Sequence, residues 1–262
     1  MEKGRGLFLG VTTFGGDGGV SGIGQYIIQV LAAFARMPAR DGLRFEVNTY
    51  ADEASLFVPK SPAATTRHVS RRFAAPMTNI AWHQAALPLR AARSGYDALF
   101  LPAGNRRVPL VAPCPMVGTV HDFSGIHVAD KYDPARMFYI RRVLPFLVRR
   151  LDHVLTVSEA SRKDIVDYAG VAPEKVTVTP LAADAAVFYP ADPEAARGIV
   201  RERFGVDGPY LLYISRIEHP GKNHARLIRA FARLKEREDL PHKLLLAGSD
   251  RERADEVHEV AA

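Results

Sequence analysis

The 262-residue sequence has little cysteine and no long apolar run, and each absence narrows the class of protein. Its single cysteine, Cys114, has no second thiol to pair with, so intramolecular disulfides are excluded and a cytoplasmic location is expected. No apolar run reaches the roughly 18 to 20 residues of a membrane-spanning helix, and no signal peptide is visible. The hydrophobic content of 47% still suffices for one large domain or two smaller ones with a substantial core.

Two common phosphate-binding fingerprints are also absent from the glycine-rich stretch near the N-terminus. The dinucleotide pattern Gly-x-Gly-x-x-Gly starts at Gly16 and at Gly22, but Ser21 and Ile27 occupy the third glycine positions. The nucleotide triphosphatase loop fails because Gln25-Tyr26 stands where Lys-Ser or Lys-Thr is required. These failures argue against a nucleotide-dependent oxidoreductase and against a nucleotide triphosphatase.

The same stretch predicts a glycine turn at the start of a helix. Gly19, Gly22 and Gly24 allow the backbone to approach a ligand or to adopt positive φ. Ser21 is a predicted N-cap, and apolar residues follow at helical spacing as far as Phe34. A helix N-terminus behind such a turn is a generic anion-binding site.

A second predicted strand, turn and helix lies between Tyr210 and His224 and continues beyond it. Five residues of high strand propensity lead into a polar turn that carries Arg216 and Lys222. Ligands of open α/β sheets bind at the carboxyl ends of strands, and this turn offers a planar guanidinium and a point charge to a diphosphate. The alternative is that both side chains only solvate a loop.

A histidine and an aspartate follow another predicted buried strand, Pro115 to Val120. His121 at the carboxyl end of this strand can reach a ligand cleft, while Asp122 can fix the loop or cap the next turn. By itself, a lone histidine is more often structural than catalytic, so the residues alone leave both interpretations open.

In order and spacing, these stretches resemble glycosyltransferase family 4 along nearly the whole chain. The segments that carry the resemblance are Ser215-Arg216, Pro220-Gly221-Lys222-Asn223, Leu227–Phe231, His121-Asp122, Val157-Ser158-Glu159 and Val176–Asp184. The resemblance implies an α/β fold of the GT-B-like type, with an N-terminal Rossmann-like domain and an incomplete second Rossmann-like domain. It implies a retaining enzyme that transfers a hexose from a nucleotide-sugar donor to a glycan or lipid-linked acceptor.

The resemblance also implies roles for individual residues on the donor side. Arg216 and Lys222 match the arginine and lysine that bind the donor diphosphate and stabilise charge on the leaving group. The loop with Gly19, Gly22 and Gly24 matches the first loop of the family, which faces the donor phosphate and the acceptor across a cleft. No metal and no other cofactor are expected, since the two cations can supply the countercharge and the nucleotide sugar is a substrate.

On the acceptor side, His121 matches a histidine near the transferred sugar, and Asp122 is expected to have an adjacent, acceptor-side role. The resemblance therefore favours the catalytic interpretation of this pair over the structural one.

The predicted domains are residues 1–185, a linker at 186–208, and a partial C-terminal domain at 209–262. A Rossmann-like domain has about five or six strands, and the second half offers two convincing ones. The family's pair of donor-binding glutamates is also not found, because Glu252, Glu256 and Glu259 lie on a charged tail. We therefore expect the chain to be either a truncated family member or a member that completes its donor site with another polypeptide. The alternative function is that of a catalytically inactive, truncated glycosyltransferase that acts as a binding module or is a remnant.

The formal charge of +6 favours anionic partners without choosing among them. Arginine pairs are spread along the chain and are not gathered with stacking aromatics, so no nucleic-acid partner is expected. Arg141, Arg142, Arg149 and Arg150 fall in a helix-like segment with aromatic and apolar residues, which suggests peripheral contact with the inner face of a membrane. An ordinary amphipathic helix with a charged outer face is the open alternative.

Overall fold

The computed structural model describes residues 6–37, 42–104, 107–127 and 134–261, and the chain divides into two compact units. Unit 1 comprises Met1–Phe123 and Ala135–Leu181, and unit 2 comprises Ser124–Pro134 and Ala182–Ala262. No helix in these described ranges is long and apolar enough to cross a membrane.

Unit 1 is built on a seven-stranded sheet with the order β3-β2-β1-β4-β5-β6-β7, in which every pair of neighbours is parallel. The strands are β1 (Phe8–Thr12), β2 (Arg44–Tyr50), β3 (Ala64–Val69), β4 (Ala98–Leu101), β5 (Met116–Thr119), β6 (His153–Thr156) and β7 (Val176–Val178). Because all the strands run the same way, their carboxyl ends share one edge. The predicted α/β class with a parallel, Rossmann-like sheet is confirmed.

Helices lie between consecutive strands along the chain, except between β4 and β5, where the described residues form no helix. They are α1 (Gly22–Arg36), α2 (Ala54–Phe57), α3 (Pro76–Ala81), α4 (Leu87–Ser94), α5 (Ser124–His127), α6 (Pro134–Phe138), α7 (Leu144–Val148), α8 (Glu159–Ala169), α9 (Pro193–Phe204), α10 (His224–Arg237) and α11 (Ala254–Ala261). Short 3-10 turns lie at Asp17–Gly19, Ala51–Glu53, Arg71–Phe73 and Pro173–Lys175.

The core of unit 1 forms where α1 packs on the sheet. Ile27 and Leu31, four residues apart, lie on one face of α1 and are fully buried against Val11, Phe45 and Val47 of the two neighbouring strands. The buried, β-branched and aromatic composition of these strands is typical of a parallel sheet covered on both faces.

One strand was not predicted from the sequence. Residues 51–72 contain no apolar periodicity that would indicate a strand, but β3 pairs with β2 through six residues at the edge of the sheet. Its side chains from Thr65 to His68 are exposed, so no apolar alternation marks it. Backbone pairing and the strand propensity of Thr65 and Thr66 form this edge.

A proline inside a helix normally kinks or breaks it, but the helix around Pro88 is continuous. A wider π-helical turn, Trp82–Ala86, joins α3 to α4, and Pro88 becomes the second residue of α4. The same device, Tyr139–Val143, precedes Pro145 in α7. Proline is tolerated at the start of a helical segment because its missing amide is not needed there, so both helices continue.

Unit 2 contains a parallel two-stranded sheet of β8 (Tyr210–Ile214) and β9 (Lys243–Ala247). Its buried apolar cluster consists of Ile217, Ala254 and Val257, where the turn after β8 meets α11. Leu211, by contrast, is exposed, and Ile214 is 72% exposed. The apolar core of unit 2 is therefore small, and β8 leaves apolar side chains in solvent.

Candidate active site

His121 lies just past β5 at the carboxyl edge of the unit 1 sheet and is held from neighbouring elements. Its Nε2 lies 2.9 Å from the carbonyl oxygen of Pro102, which follows β4, so Nε2 carries the proton and donates it. The imidazole packs edge-on against Tyr26 of α1, with the ring centroids 4.8 Å apart. The residue is only 9% exposed, so its ring has a fixed orientation at the sheet edge.

The backbone around His121 is fixed as well. Ser161 of α8 donates its hydroxyl to the His121 carbonyl at 3.0 Å, and Ser158 caps the same helix by accepting from the Ser161 amide. The Tyr26 hydroxyl lies 3.0 Å from Thr119 Oγ1 of β5. Burial raises the pKa of Tyr26, against the opposing effect of the Thr119 hydrogen bond, so the phenol stays neutral near pH 7.

Asp122 is the next residue along this edge, and its environment differs from that of His121. It is exposed, and it precedes Phe123, which is buried. The structure thus places the predicted pair side by side at the edge, with the imidazole packed and the carboxylate reaching solvent. Tyr26, Thr119 and Ser161 were not predicted from the sequence as contacts of this site. The only local sequence signal is the position of Ser161, three residues after the N-cap Ser158.

The three predicted loop glycines have different structural requirements. Gly19 has φ of +79°, in the left-handed region that favours glycine. Gly24 has no room for a side chain, because a Cβ there would lie 2.1 Å from the carbonyl oxygen of Gly16. Gly22 faces open space, since a Cβ added there would have no heavy atom within 4 Å. Only two of the three positions therefore demand glycine.

The loop before α1 uses several of its own amides internally. The amide of Gly16 donates to Thr13, and that of Gly19 donates to Gly16, at 3.0 and 2.8 Å. Ser21 is the N-cap, as predicted, and its hydroxyl accepts from the Gly24 amide at 3.2 Å. The Gly22 amide, in the first turn of α1, has no helical carbonyl to accept it. A ligand at this loop would therefore meet the first turn of the helix.

Arg216 lies in unit 2, in the turn between β8 and α10, and points its guanidinium to solvent. Its side chain is 55% exposed, and Nη2 lies 3.3 Å from Glu218 Oε2. The Glu218 carboxylate is largely covered and packs on Gly221, where a Cβ would approach it to 2.6 Å. The mostly buried carboxylate of Glu218 therefore orients the solvent-accessible guanidinium of Arg216.

Lys222 is the second cation of this turn, and its backbone is anchored. The Tyr213 hydroxyl of β8 donates to the Lys222 carbonyl at 3.0 Å. Within the described ranges, Lys222 forms no ion pair with an acidic side chain. The next residue, Asn223, has φ of +57° and precedes the first turn of α10. The turn therefore presents a cation close to a helix N-terminus, where the helix dipole also favours an anion.

His224 is the residue of this turn that sequence reasoning missed. It is buried, its Nε2 lies 3.1 Å from the Ser215 hydroxyl, and its ring packs on Tyr213. Gly248 after β9 is equally restricted, since a Cβ there would lie 1.8 Å from the Ser215 carbonyl oxygen. No periodic sequence pattern marks His224 or Gly248, because both are fixed by contacts to Ser215, which lies in another segment of the chain.

A further buried cluster surrounds His83 in unit 1. Its Nδ1 lies 2.8 Å from the Asn79 carbonyl, and its ring contacts Phe14 and Trp82. Burial lowers the pKa of His83 to about 4, with a smaller contribution in the same direction from the charge of Arg107. In the described part of the chain, Nε2 has no hydrogen-bond partner, so this histidine is a neutral core residue near pH 7.

Comparisons with known proteins identify the family. The model of Glycosyltransferase Family 4 matches residues 20–187. A D-inositol 3-phosphate glycosyltransferase of Kineococcus radiotolerans is 28% identical over 247 residues, which are 84% of this chain and 53% of the relative. The chain thus spans about half the length of this relative.

Solved structures support the same fold. Anabaena HepE, solved in complex with UDP-glucose, has a TM-score of 0.64 and 18% identity, covering 97% of this chain and 65% of HepE. A glycosyltransferase from Rickettsia africae has a TM-score of 0.53 and 14% identity, covering 94% and 61%. The predicted GT-B-like fold is confirmed by these likenesses, and with the family model matching well over half of its residues, the chain belongs to Glycosyltransferase Family 4.

Proposed function

We propose that the protein transfers a hexose from a nucleotide-sugar donor to a hydroxyl group of a glycan or lipid-linked acceptor, with retention of configuration at the sugar C1. The bond between C1 and the diphosphate oxygen breaks, a bond from C1 to the acceptor oxygen forms, and the proton of the acceptor hydroxyl passes to the departing nucleoside diphosphate. The observation that carries the proposal is the turn with Arg216 and Lys222 in a family 4 chain. The solved complex of HepE with UDP-glucose supports a donor of this class.

The donor diphosphate is assigned to the turn after β8. Negative charge grows on the diphosphate as its bond to the sugar breaks, so cations placed beforehand lower the barrier. Arg216 can bind two phosphate oxygens through its planar guanidinium, which Glu218 orients, and Lys222 adds a point charge. The first turn of α10 contributes its dipole with the same sign.

The transferred sugar and the acceptor are assigned to the edge of the unit 1 sheet. His121 has a fixed ring whose Nε2 is committed to Pro102, so it acts as a positioned group that contacts the sugar. Asp122 is exposed beside it and is assigned to the acceptor. The glycine loop with Gly19, Gly22 and Gly24 shapes the approach to the first turn of α1.

The proposed chemistry uses no metal ion, because two cationic side chains offset the leaving-group charge. A chelator provides the test. Activity that survives EDTA treatment at its full level supports the assignment to Arg216 and Lys222. Activity that falls on chelation and returns with added magnesium would refute it.

The experiment for the transfer itself is an assay of nucleotide release from UDP- and GDP-hexoses by the full chain, with and without added glycan and lipid-linked acceptors. Acceptor-dependent release is expected, with a decrease of at least about a hundredfold in Arg216→Ala and Lys222→Ala. Arg233→Ala, which removes an exposed arginine farther along α10, is the matched control and should retain activity. The anomeric configuration of the product, read by NMR, decides retention.

A second candidate function is that of a catalytically inactive binding module. The observation that favours it is the small apolar core of unit 2, together with the exposed apolar residues of β8. On this account the edge of unit 1 binds an acceptor or a partner, and no donor is bound. Acceptor binding without any nucleotide binding, in a chain that unfolds cooperatively, would favour this candidate.

We include a cytoplasmic location at the inner membrane face in the proposal. It is supported by the single cysteine and by the exposed arginines of the helix that ends at Val148. Cell fractionation tests it: the protein should sediment with membranes at low salt and be released by high salt. Recovery in the periplasmic fraction would contradict it.

A further inference from the structure

An apolar cavity of about 340 Å³ lies within unit 1, and the sequence motifs do not account for it. It lies between α3 with its π-helical turn, the loop after β4, and the helix formed by α6, its π-helical turn and α7. Residues that form its apolar walls include Ile80, Val108, Leu110, Val143, Phe146 and Leu147. Its size falls within the range of about 300 to 1,000 Å³ that is typical of small-molecule sites.

The polar groups in the cavity wall favour a ligand that is aliphatic along most of its length. The side-chain amide of Gln84 donates to the Val108 carbonyl at 3.0 Å and accepts from the Leu110 amide at 2.8 Å. Gln84 therefore fastens the loop after β4 and leaves the wall apolar. Arg107 and Tyr139 are the other polar side chains in the lining, and the remaining lining residues are apolar.

The rim of the cavity combines exposed apolar surface with positive charge. Phe146 lines the cavity and is 45% exposed, and the guanidinium of Arg150 lies 5.2 Å from the centre of its ring. Arg142, in the π-helical turn before α7, and Arg149, directly after α7, are also exposed. An anionic head group on an apolar chain would match both properties, since the chain covers the cavity wall and the head group meets the arginines.

We propose that this cavity binds the aliphatic chain of an amphiphile with a phosphate-like head group, and that it holds the lipid of a lipid-linked acceptor. The second part of this proposal rests on the function proposed above, whereas the binding site itself does not. A cavity of about 340 Å³ encloses only part of a long chain. Affinity should therefore rise with chain length and then stop rising.

Calorimetric titration of the full chain with n-alkyl phosphates, each below its micelle concentration, tests the site. Affinity should increase about fourfold for each added methylene, the equivalent of about 0.8 kcal/mol, until the cavity is filled. Inorganic phosphate should show no measurable binding. An n-alkyl alcohol of equal length should bind at least about tenfold more weakly than the phosphate, since it lacks the charge.

Two variants, Val143→Trp and Arg150→Ala, and one control variant distinguish binding in the cavity from nonspecific binding to exposed apolar surface. Val143→Trp places an indole in the cavity and should weaken alkyl phosphate binding at least about tenfold, whereas Tyr168→Trp on the exposed face of α8 should leave it unchanged. Arg150→Ala changes an exposed side chain and should weaken the alkyl phosphate without affecting the alcohol. This second variant keeps the test decisive if Val143→Trp does not fold.

Other results of these titrations would contradict the proposal, because they would show either a different binding surface or no binding in the cavity. Binding to vesicles of phosphatidylglycerol without binding of any monomeric alkyl phosphate would replace the cavity by a membrane-contact surface. Equal alkyl phosphate binding in wild-type protein and a folded Val143→Trp variant would show that the cavity is not the site. A separate UDP titration distinguishes the two proposals, because a chain that binds UDP and no alkyl phosphate keeps the donor site and loses only this inference.

Discussion

Units 1 and 2 hold their candidate functional side chains in different environments. His121 in unit 1 is 9% exposed and is fixed by contacts to α1, to α8 and to the residue after β4. Arg216 in unit 2 has a side chain that is 55% exposed and is oriented by one carboxylate. The group assigned to the sugar is thus preorganised by packing, and the group assigned to the diphosphate is accessible and held by a turn.

The apolar core of unit 1 is also more extensive than that of unit 2. In unit 1, α1 buries Ile27 and Leu31 against a seven-stranded sheet. In unit 2, the buried apolar cluster has three residues, and Ile214 of β8 remains 72% exposed. Because burial of apolar surface is the main stabilising contribution, the comparison predicts that unit 1 is the more stable part and that substitutions of the exposed apolar residues of β8 cost little.

The largest expected effect comes from truncating the same residue type in both units. Leu31→Ala in α1 should lower the free energy of unfolding by about 3 kcal/mol, since Leu31 is fully buried. Leu211→Ala in β8 should change it by less than about 0.5 kcal/mol, because Leu211 is 47% exposed. Urea denaturation measures both, and equal losses would remove the distinction between the units.

The pH dependence of stability should report the buried histidine of unit 1. The pKa of His83 is about 4 in the folded state and near 6.5 when unfolded, so its contribution is fully present above pH 6.5. As pH falls from 6.5 to 4, the unfolded state binds a proton that the folded state does not, which costs up to about 3 kcal/mol. His83→Gln should flatten this part of a urea-denaturation series, and an unchanged slope would contradict the assignment.

Two glycines of one loop should respond oppositely to the same substitution. Gly24→Ala should destabilise unit 1 by about 2 kcal/mol, because the new Cβ would overlap the Gly16 carbonyl oxygen. Gly22→Ala should be neutral or slightly stabilising, because its Cβ meets no atom and alanine favours helix. The fluorescence of Trp82, the only tryptophan, reports unfolding of unit 1. Similar midpoints for the two variants would show that the loop relaxes.

The smallest expected effect concerns how α1 supports the sheet edge. Tyr26→Phe removes the hydrogen bond to Thr119 but keeps the ring against His121, and should cost about 1 kcal/mol of stability. Thermal unfolding measures this change. If the proposed transfer reaction is observed, Tyr26→Phe should change the KM for the donor little. Tyr26→Ala also removes the ring that packs against His121, so it should lower activity. Equal activity in the two variants would show that the ring does not position His121.

The sequence predicted the parts of the fold that depend on local pattern. The buried strands, the α1 stripe, the Ser21 cap and the turn with Arg216 and Lys222 all follow from periodicity, capping or residue type within a few positions. The edge strand β3 did not follow, because its exposed side chains carry no apolar alternation. The continuous helix at Pro88 did not follow either, since the π-helical turn before it has no sequence signal.

Within the candidate site, residue type was predictable and environment was not. The sequence placed His121 at a strand end, but its contacts to Tyr26 and Pro102 join segments 95 and 19 residues away in the chain. The different tolerance of Gly22 and Gly24 likewise depends on how the loop folds back on Gly16. Such contacts are set by tertiary packing, and single-sequence patterns do not contain them.

The central claim is that the turn after β8 binds a nucleotide diphosphate. Calorimetric titration of the 262-residue chain with UDP and GDP, beside Arg216→Ala, Lys222→Ala and the control Arg233→Ala, tests it most directly. The account predicts saturable binding of at least one nucleotide, lost in the first two variants and kept in the third. No binding of either nucleotide to a chain that still unfolds cooperatively would contradict the donor site and leave the acceptor edge of unit 1 as the remaining functional surface.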